Sequence, residues 1–130
     1  MSSSLRVVQN LYAVLGHGDV PGLLALLHDD LEWTEAERFP YYSGTWRSPS
    51  EVVEKLLVPL ARDWNDFTVT PREFITEGDR VVSTGTYSAT FKATGKPLTV
   101  AFAHFWTVRD GRVARFVMHV DTQKVREAME

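Results

Sequence analysis

The sequence predicts a single α+β domain, in which helices cover one face of a curved antiparallel sheet. Two observations predict this class. Apolar residues at helical spacing dominate the first half of the chain, and β-rich segments joined by glycine-containing turns dominate the second half. Helices that precede a run of strands are typical of α+β domains. The length of 130 residues is that of one domain, which we assign to residues 1–130.

Three helices are predicted in the first half of the chain. The first lies between residues 5 and 15, where apolar residues recur at helical spacing. Asp19 is placed to cap the second, a leucine-rich segment that we expect to end at the aspartate pair of residues 29–30. Ser48 and Glu51 have the spacing of a capping box, and a proline follows Ser48. This pattern predicts a third helix from residue 49.

Strands are predicted between and after these helices. Alternating residues 31–35 indicate a short strand, and residues 37–47 form a loop rich in aromatic side chains. Four further segments alternate in the same way and are separated by turns that contain glycine. They are residues 67–76, 80–92, 98–108 and 112–120, which together predict an antiparallel meander. A short final helix is capped by Asp121 or Thr122.

The composition argues against several classes of function. A net charge of -3 disfavours a nucleic-acid-binding protein, which would carry a basic face. The chain has no cysteine, so disulfides, thiol catalysis and cysteine-bound zinc are excluded. No apolar run approaches the roughly 20 residues that span a bilayer, and we expect no signal peptide because the first residues lack an apolar core. We therefore expect a cytoplasmic protein that binds neither nucleic acid nor membranes.

The order of the elements and four short segments together resemble a known family. The segments are residues 7–12, 18–19, 26–33 and 104–113. In order and spacing they are similar to the SnoaL-like polyketide cyclases and the ketosteroid isomerases of the nuclear transport factor 2-like superfamily, over nearly the whole chain. The resemblance implies a cone-shaped, cystatin-like fold around a pocket lined by hydrophobic and aromatic residues. The superfamily includes isomerases, hydrolases, cyclases, dehydratases and non-catalytic binding proteins, so the fold does not determine the reaction.

The catalytic residues of the familiar members are only partly present. For ketosteroid isomerase, the resemblance puts Glu35 at the position of the base aspartate. It puts Leu11, beside Tyr12, at the oxyanion tyrosine and Ala103 at the oxyanion aspartic acid. Because loss of one oxyanion donor costs about 10²- to 10³-fold in rate, we do not expect steroid isomerisation by that mechanism. The inward carboxylate of limonene epoxide hydrolase falls on Met118, so its mechanism is not expected either.

Strand parity, in the register that the resemblance implies, predicts the lining of the pocket. The predicted ligand-binding residues are Trp33, Tyr41, Tyr42, Trp46, Thr84, Thr86, Phe105, Phe116 and Met118. The aromatic side chains placed to close the mouth of the pocket are those of the loop: Phe39, Tyr41, Tyr42 and Trp46. Glu35 is the candidate catalytic residue, a general acid or base whose pKa an apolar pocket would raise. The alternative interpretation is a carboxylate at a strand end, solvated or paired with Arg38 or Arg47.

The same parity assigns a largely apolar set of side chains to the outer face of the sheet. They are Tyr87, Phe102, His104, Trp106, Val117 and His119. An exposed apolar surface of this kind normally marks an interface, so we expect a homodimer through this face. The two histidines and Asp121 have the residue types of a metal pair or proton relay, but structural hydrogen bonding is the favoured interpretation on this side. No metal site is predicted.

We therefore predict a domain that binds a small hydrophobic, cyclic molecule in the pocket. If the protein is an enzyme, its chemistry is a cofactor-free proton transfer of the isomerase, cyclase or hydrolase type. Glu35 is then the acid or base, with Tyr41 or Tyr42 as an auxiliary hydrogen-bond donor. The alternative, from a different class, is a non-catalytic ligand-binding or dimerisation module.

Overall fold

The computed structural model describes residues 3–42 and 44–130 and has the predicted α+β architecture. The helices are α1 (Ser3–Gly16), α2 (Val20–Leu26), α3 (Pro49–Val52), α4 (Val58–Asp63) and α5 (Thr122–Met129), and a π-helical turn (Val53–Leu57) joins α3 to α4. The strands are β1 (Leu27–Thr34), β2 (Thr45–Trp46), β3 (Trp64–Glu77), β4 (Arg80–Phe91), β5 (Pro97–Arg109) and β6 (Arg112–Val120).

All six strands form one sheet in the order β2-β1-β6-β5-β4-β3. Strands β3 to β6 are the predicted antiparallel meander, and β1 lies parallel to β6. The helices before β3 pack on the concave face of the sheet, as the α+β class requires. No helix of the described residues is long and apolar enough to cross a membrane.

The predicted helix caps are confirmed. The carboxylate of Asp19 accepts a hydrogen bond from the backbone N–H of Gly22 at 2.9 Å, and Ser48 Oγ accepts one from Glu51 at 3.3 Å. Asp121 Oδ1 accepts hydrogen bonds from the backbone N–H groups of residues 123 and 124 at the start of α5. The predicted end of α2 is wrong. The helix ends at Leu26, because Leu27 already pairs with β6 as the first residue of β1.

The helix that crosses the concave face is interrupted at a proline. Pro59 has no N–H to donate to the carbonyl of the residue four positions earlier, so a regular α-helix cannot continue through it. The turn before it is a π-helix, in which the N–H of Val58 donates to the carbonyl of Val53. Such π-helical turns frequently occur at functional sites, and this one faces the interior of the fold.

The predicted parity of β4 and β5 is wrong, and one bulge explains the error. Counted from the turn after β5 without a bulge, Phe105 would oppose Phe116. The register shifts between Thr107 and Val108, and as a result Trp106 opposes Phe116 and His104 opposes Met118. Directly opposed residues point to the same face of a sheet, so the residues that face the helices are those at even positions of β5.

Candidate functional site

A cavity of about 500 Å³ lies between the concave face of the sheet and the helices. Its walls are mostly apolar and come from α1, α2, the π-helical turn, α4 and five of the strands. Val20 and Val58 belong to its lining and are 40% and 55% exposed, so they mark its mouth. The size and apolar character are those of a site for a small organic molecule.

Glu35 lies in the wall of this cavity and is only 6% exposed. The indole N–H of Trp33 donates a hydrogen bond of 3.0 Å to its Oε2 atom. Within residues 3–42 and 44–130, no cation forms an ion pair with this carboxyl group, since Arg47 pairs instead with Glu32 at 3.7 Å. The carboxyl group is therefore neither solvated at a strand end nor paired with an arginine.

Burial controls the ionisation of Glu35. Removal from water raises the pKa of the Glu35 carboxyl group to about 8, and the hydrogen bond from Trp33 offsets only part of this rise. The group is consequently protonated at neutral pH and loses its proton slightly above it. A carboxyl group tuned in this way can donate or accept a proton under physiological conditions.

A second polar group of the cavity is a buried chain of hydrogen bonds centred on His104. Its Nδ1 atom is 2.5 Å from the hydroxyl of Tyr12, and its Nε2 atom is 2.5 Å from the hydroxyl of Tyr87. The Tyr12 hydroxyl is also 2.6 Å from Ser83 Oγ, which accepts a hydrogen bond of 2.8 Å from Trp106 Nε1. These five side chains join α1, β4 and β5 in one network.

The titratable side chains of this hydrogen-bonded network are uncharged near neutral pH. Burial lowers the pKa of His104 well below its usual value, so the imidazole does not carry a charge near neutral pH. Burial likewise raises the pKa of Tyr12 and Tyr87, and the nearby Glu35 raises that of Tyr87 further. The cavity thus holds a protonated carboxyl group and two neutral phenols, which are groups that can move a proton without a metal or cofactor.

The structure separates the predicted lining residues into two groups. Trp33, Glu35 and Phe116 lie in the cavity wall. The other predicted residues do not line the cavity: they are Tyr41, Tyr42, Trp46, Thr84, Thr86, Phe105 and Met118. Met118 is instead packed in the core with no exposed surface. Of the predicted loop aromatics, Phe39 lies in the cavity wall, whereas Tyr41 forms hydrogen bonds with Asp63 and Trp64 instead.

The structure also corrects the prediction of which side chains lie on the outer face of the sheet. Tyr87, Phe102, His104 and Trp106 are 7% exposed or less and face the helices, so they cannot form an intermolecular surface. Val117 and His119, on the outward side of β6, lie where the prediction put them. The strands therefore present their smaller residues outward, together with Phe105, which is 37% exposed.

The missed site residues are Tyr12, Ser83, Tyr87, His104 and Trp106. Tyr12 and His104 each come one residue after the position that the resemblance to ketosteroid isomerase indicated. A signal for them exists in β5, where leucine, valine and aromatic side chains occupy the even positions and mostly threonine and alanine the odd ones. The bulkier face of a sheet is the one that helices cover, and this asymmetry indicates the correct parity without any alignment.

Among the described residues, no group of three or more histidine or acidic side chains is arranged to hold a metal ion. His104 and His119 lie on opposite faces of the sheet, and Asp121 caps α5. The predicted alternative of a metal pair or relay formed by these three residues is therefore wrong. His104 instead forms hydrogen bonds with Tyr12 and Tyr87.

The family model of the SnoaL-like domain matches residues 8–116, which include all the residues of the cavity wall. The chain belongs to this family. No curated protein matches its sequence significantly. The predicted family and the cone-shaped α+β fold are thereby confirmed.

Three solved structures illustrate the likeness. An NTF2-like protein from Burkholderia thailandensis is 32% identical, with a TM-score of 0.94 over 100% of this chain and 99% of that one. TerC, crystallised with polyporic acid, is 30% identical, with a TM-score of 0.87 over 98% of each chain. A protein with a ketosteroid isomerase-like fold from Catenulispora acidiphila, in complex with trimethylamine, is 15% identical. Its TM-score of 0.80, over 94% of this SnoaL-like chain and 90% of that one, reflects the fold alone.

Proposed function

We propose that this SnoaL-like protein binds a small hydrophobic, cyclic compound in the cavity and transfers protons on it without a cofactor. The observation that carries this proposal is the position of Glu35, a carboxyl group 6% exposed in an otherwise mostly apolar cavity wall. Burying such a group without an ionic partner is costly. An apolar side chain at this position would avoid that cost, so the stability of the fold alone does not explain the carboxyl group.

The chemistry that fits the cavity is proton abstraction next to a carbonyl group. In its ionised form Glu35 removes a proton from the carbon atom beside the carbonyl group. The C–H bonding electrons form a C=C bond to the carbonyl carbon, and the C=O π electrons move onto the oxygen, which takes up the negative charge. The neutral carboxylic acid so formed then returns a proton to the same or another carbon atom. In D₂O the acid first exchanges its proton with the solvent, so that deuterium is returned instead. Exchange, isomerisation and cyclisation all begin with this step, and general acid–base catalysis contributes typically about 10²- to 10⁴-fold in rate.

The likeness to TerC supports an organic ligand. TerC is 30% identical over 98% of both chains and was crystallised with polyporic acid. The aromatic side chains around the cavity suit the same general kind of compound, because Trp33, Trp106 and Phe116 offer ring faces and edges for stacking.

Hydrogen–deuterium exchange of 2-tetralone tests the proposed function. This compound is a small apolar cyclic ketone, and NMR in D₂O follows the loss of the protons beside its carbonyl group. We expect the protein to accelerate the exchange above the buffer rate, and Glu35→Gln to remove at least about 99% of that acceleration. The matched control is Glu32→Gln, which changes an exposed carboxylate of β1, the strand just before Glu35, and should leave the rate unchanged. Equal rates in buffer and with the wild-type protein would contradict catalysis and favour a non-catalytic binding module.

A further inference from the structure

The hydrogen bonds around His104 have a direction, and counting donors fixes it at the end of the chain that begins with Trp106. Trp106 Nε1 can only donate, so Ser83 Oγ must accept at that end of the chain. Ser83 has no exposed surface, and among the described residues the only other partner of its hydroxyl is Tyr12. A buried hydroxyl hydrogen without an acceptor is costly, so Ser83 donates to Tyr12.

With the Tyr12 oxygen accepting from Ser83, two arrangements satisfy the imidazole: either Tyr12 donates to Nδ1 and Nε2–H donates to Tyr87, or Nδ1–H donates to Tyr12 and Tyr87 donates to Nε2. The first is favoured because its hydrogen bonds run head to tail from Trp106 to Tyr87, and successive hydrogen bonds in such a chain polarise and strengthen one another. The neutral imidazole then carries its proton on Nε2 and donates it to the hydroxyl oxygen of Tyr87. If Tyr12 donated to Ser83 instead, the Ser83 hydrogen would have no acceptor among the described residues.

With the hydrogen bonds in this direction, the hydroxyl hydrogen of Tyr87 has no acceptor among the described residues. Its oxygen accepts from His104, and Tyr87 forms no second hydrogen bond with any described residue. Tyr87 is 7% exposed and belongs to the cavity lining, as Glu35 does. The Tyr87 hydroxyl borders the cavity and has no acceptor among the described residues, so it can donate its hydrogen to an acceptor atom of a ligand.

We propose that Tyr87 is the catalytic hydrogen-bond donor of the cavity, that it binds an oxygen atom of the ligand, and that His104 is the positioning residue that turns its hydrogen toward that atom. The inference rests on the proposed function and specifies its substrate class. The ligand carries a carbonyl or phenolic oxygen that becomes negatively charged when Glu35 removes a proton from a neighbouring carbon. Trp106, Ser83 and Tyr12 keep the imidazole in the required tautomer.

The tautomer of His104 is the first test, and it needs no ligand. The ¹⁵N chemical shifts of the two ring nitrogens distinguish a protonated from an unprotonated atom. We expect Nε2 to carry the proton and Nδ1 to be an acceptor from about pH 6 to pH 8, where His104 is neutral. A proton on Nδ1, or on both nitrogens, would overturn the proposed direction of the chain.

The second test uses para-nitrophenol, whose colour reports its ionisation, as a ligand with a phenolic oxygen. A donor beside that oxygen stabilises the phenolate. We therefore expect the ionisation constant of the bound probe to fall by about tenfold or more in Tyr87→Phe. The matched control is Tyr42→Phe, which removes a phenol that is 41% exposed and outside the cavity. Equal ionisation in the wild-type protein and Tyr87→Phe, or no binding of the probe to the wild-type protein, would overturn the proposal.

The exchange of 2-tetralone separates this inference from the proposed function. Loss of one oxyanion donor typically costs about 10²- to 10³-fold in rate, so Tyr87→Phe should slow the exchange by that factor. If Glu35→Gln abolishes exchange while Tyr87→Phe leaves it intact, the proposed function stands and the assignment of Tyr87 is wrong. If the wild-type protein does not catalyse exchange, the nitrophenol and ¹⁵N measurements still decide whether Tyr87 presents its hydrogen to a ligand.

Discussion

Glu35 couples the stability of the fold to pH. In the unfolded chain its carboxyl group ionises near its ordinary pKa of 4.5, whereas burial keeps it protonated in the folded protein up to about pH 8. Between these values the folded state binds more protons than the unfolded state, so the free energy of unfolding decreases as the pH rises. The contribution of Glu35 to stability is complete below about pH 4.5 and is lost by about pH 8.

Glu35→Gln should remove this dependence. We expect the difference in free energy of unfolding between the wild-type protein and the variant to fall by about 1.4 kcal/mol per pH unit between roughly pH 5 and pH 7.5. Urea denaturation at a series of pH values measures this difference. Any pH dependence from His104 occurs in both proteins and cancels, so parallel stability curves would show that Glu35 ionises normally.

At the scale of single residues, part of the site follows from the sequence. Glu35 and Trp33 lie two positions apart on one extended segment, and this alternation places both side chains on the same side. Tyr12 was harder to place because a helix turns about 100° per residue, so an alignment displaced by one position exchanges Leu11 for Tyr12. The contacts of Ser83 with Tyr12 and Trp106 connect residues 71 and 23 positions apart, and no local pattern encodes them.

At the scale of elements, the bulge in β6 has the largest effect on the site. Two consecutive residues, Val113 and Ala114, are buried where the alternation would expose one of them. This extra residue shifts the register against β5, so His104 and Trp106 turn toward the cavity. The existence of the strands follows from alternation and turns, whereas a one-residue bulge leaves no such signal in a segment whose residues are all plausible in a strand.

Next to a second irregularity, in β3, there is no room for a side chain at Gly85. The register between β3 and β4 shifts between Pro71 and Glu73, which brings the backbone of β3 close to Gly85. A Cβ atom at this position would collide with the carbonyl oxygen of Thr70 and would lie 2.7 Å from Phe102 Cζ and 2.8 Å from Pro71 Cα. Two of these neighbours are backbone atoms that cannot move aside alone.

Gly85→Ala should therefore destabilise the protein by about 1–3 kcal/mol or more. Gly16→Ala is the matched control, because a Cβ atom at that end of α1 would have no neighbour within 4 Å. The control should be neutral or stabilise the protein by up to about 1 kcal/mol. Midpoints of chemical denaturation measure both effects, and similar midpoints for the two variants would show that β3 does not restrict the space at Gly85.

At the scale of the whole molecule, the homodimer stays a prediction with a revised surface. The register places Ile75, Val82, Phe105 and Val117 side by side across four strands on the outer face. Ile75 is 67% exposed and Phe105 is 37% exposed, so the row offers apolar surface to a second copy. An exposed apolar row on a sheet face is typical of an interface.

Light scattering at micromolar concentration tests this surface. We expect twice the monomer mass for the wild-type protein and the monomer mass for Phe105→Glu, because a buried unpaired charge opposes association. Val58→Glu is the control, since Val58 is a 55% exposed apolar residue at the mouth of the cavity rather than on the outer face. A wild-type monomer would contradict the dimer, and a dimeric Phe105→Glu variant would exclude this face.

The central claim is that an apolar cavity holds a carboxyl group able to move protons near neutral pH, and the exchange of 2-tetralone as a function of pH tests it most directly. Only the ionised form of Glu35 can remove a proton from carbon. After subtraction of the buffer rate, the exchange catalysed by the wild-type protein should rise with pH, level off above a midpoint of about 8 and be absent in Glu35→Gln. A catalysed rate that has its midpoint near pH 4.5, or that persists in Glu35→Gln, would contradict this account.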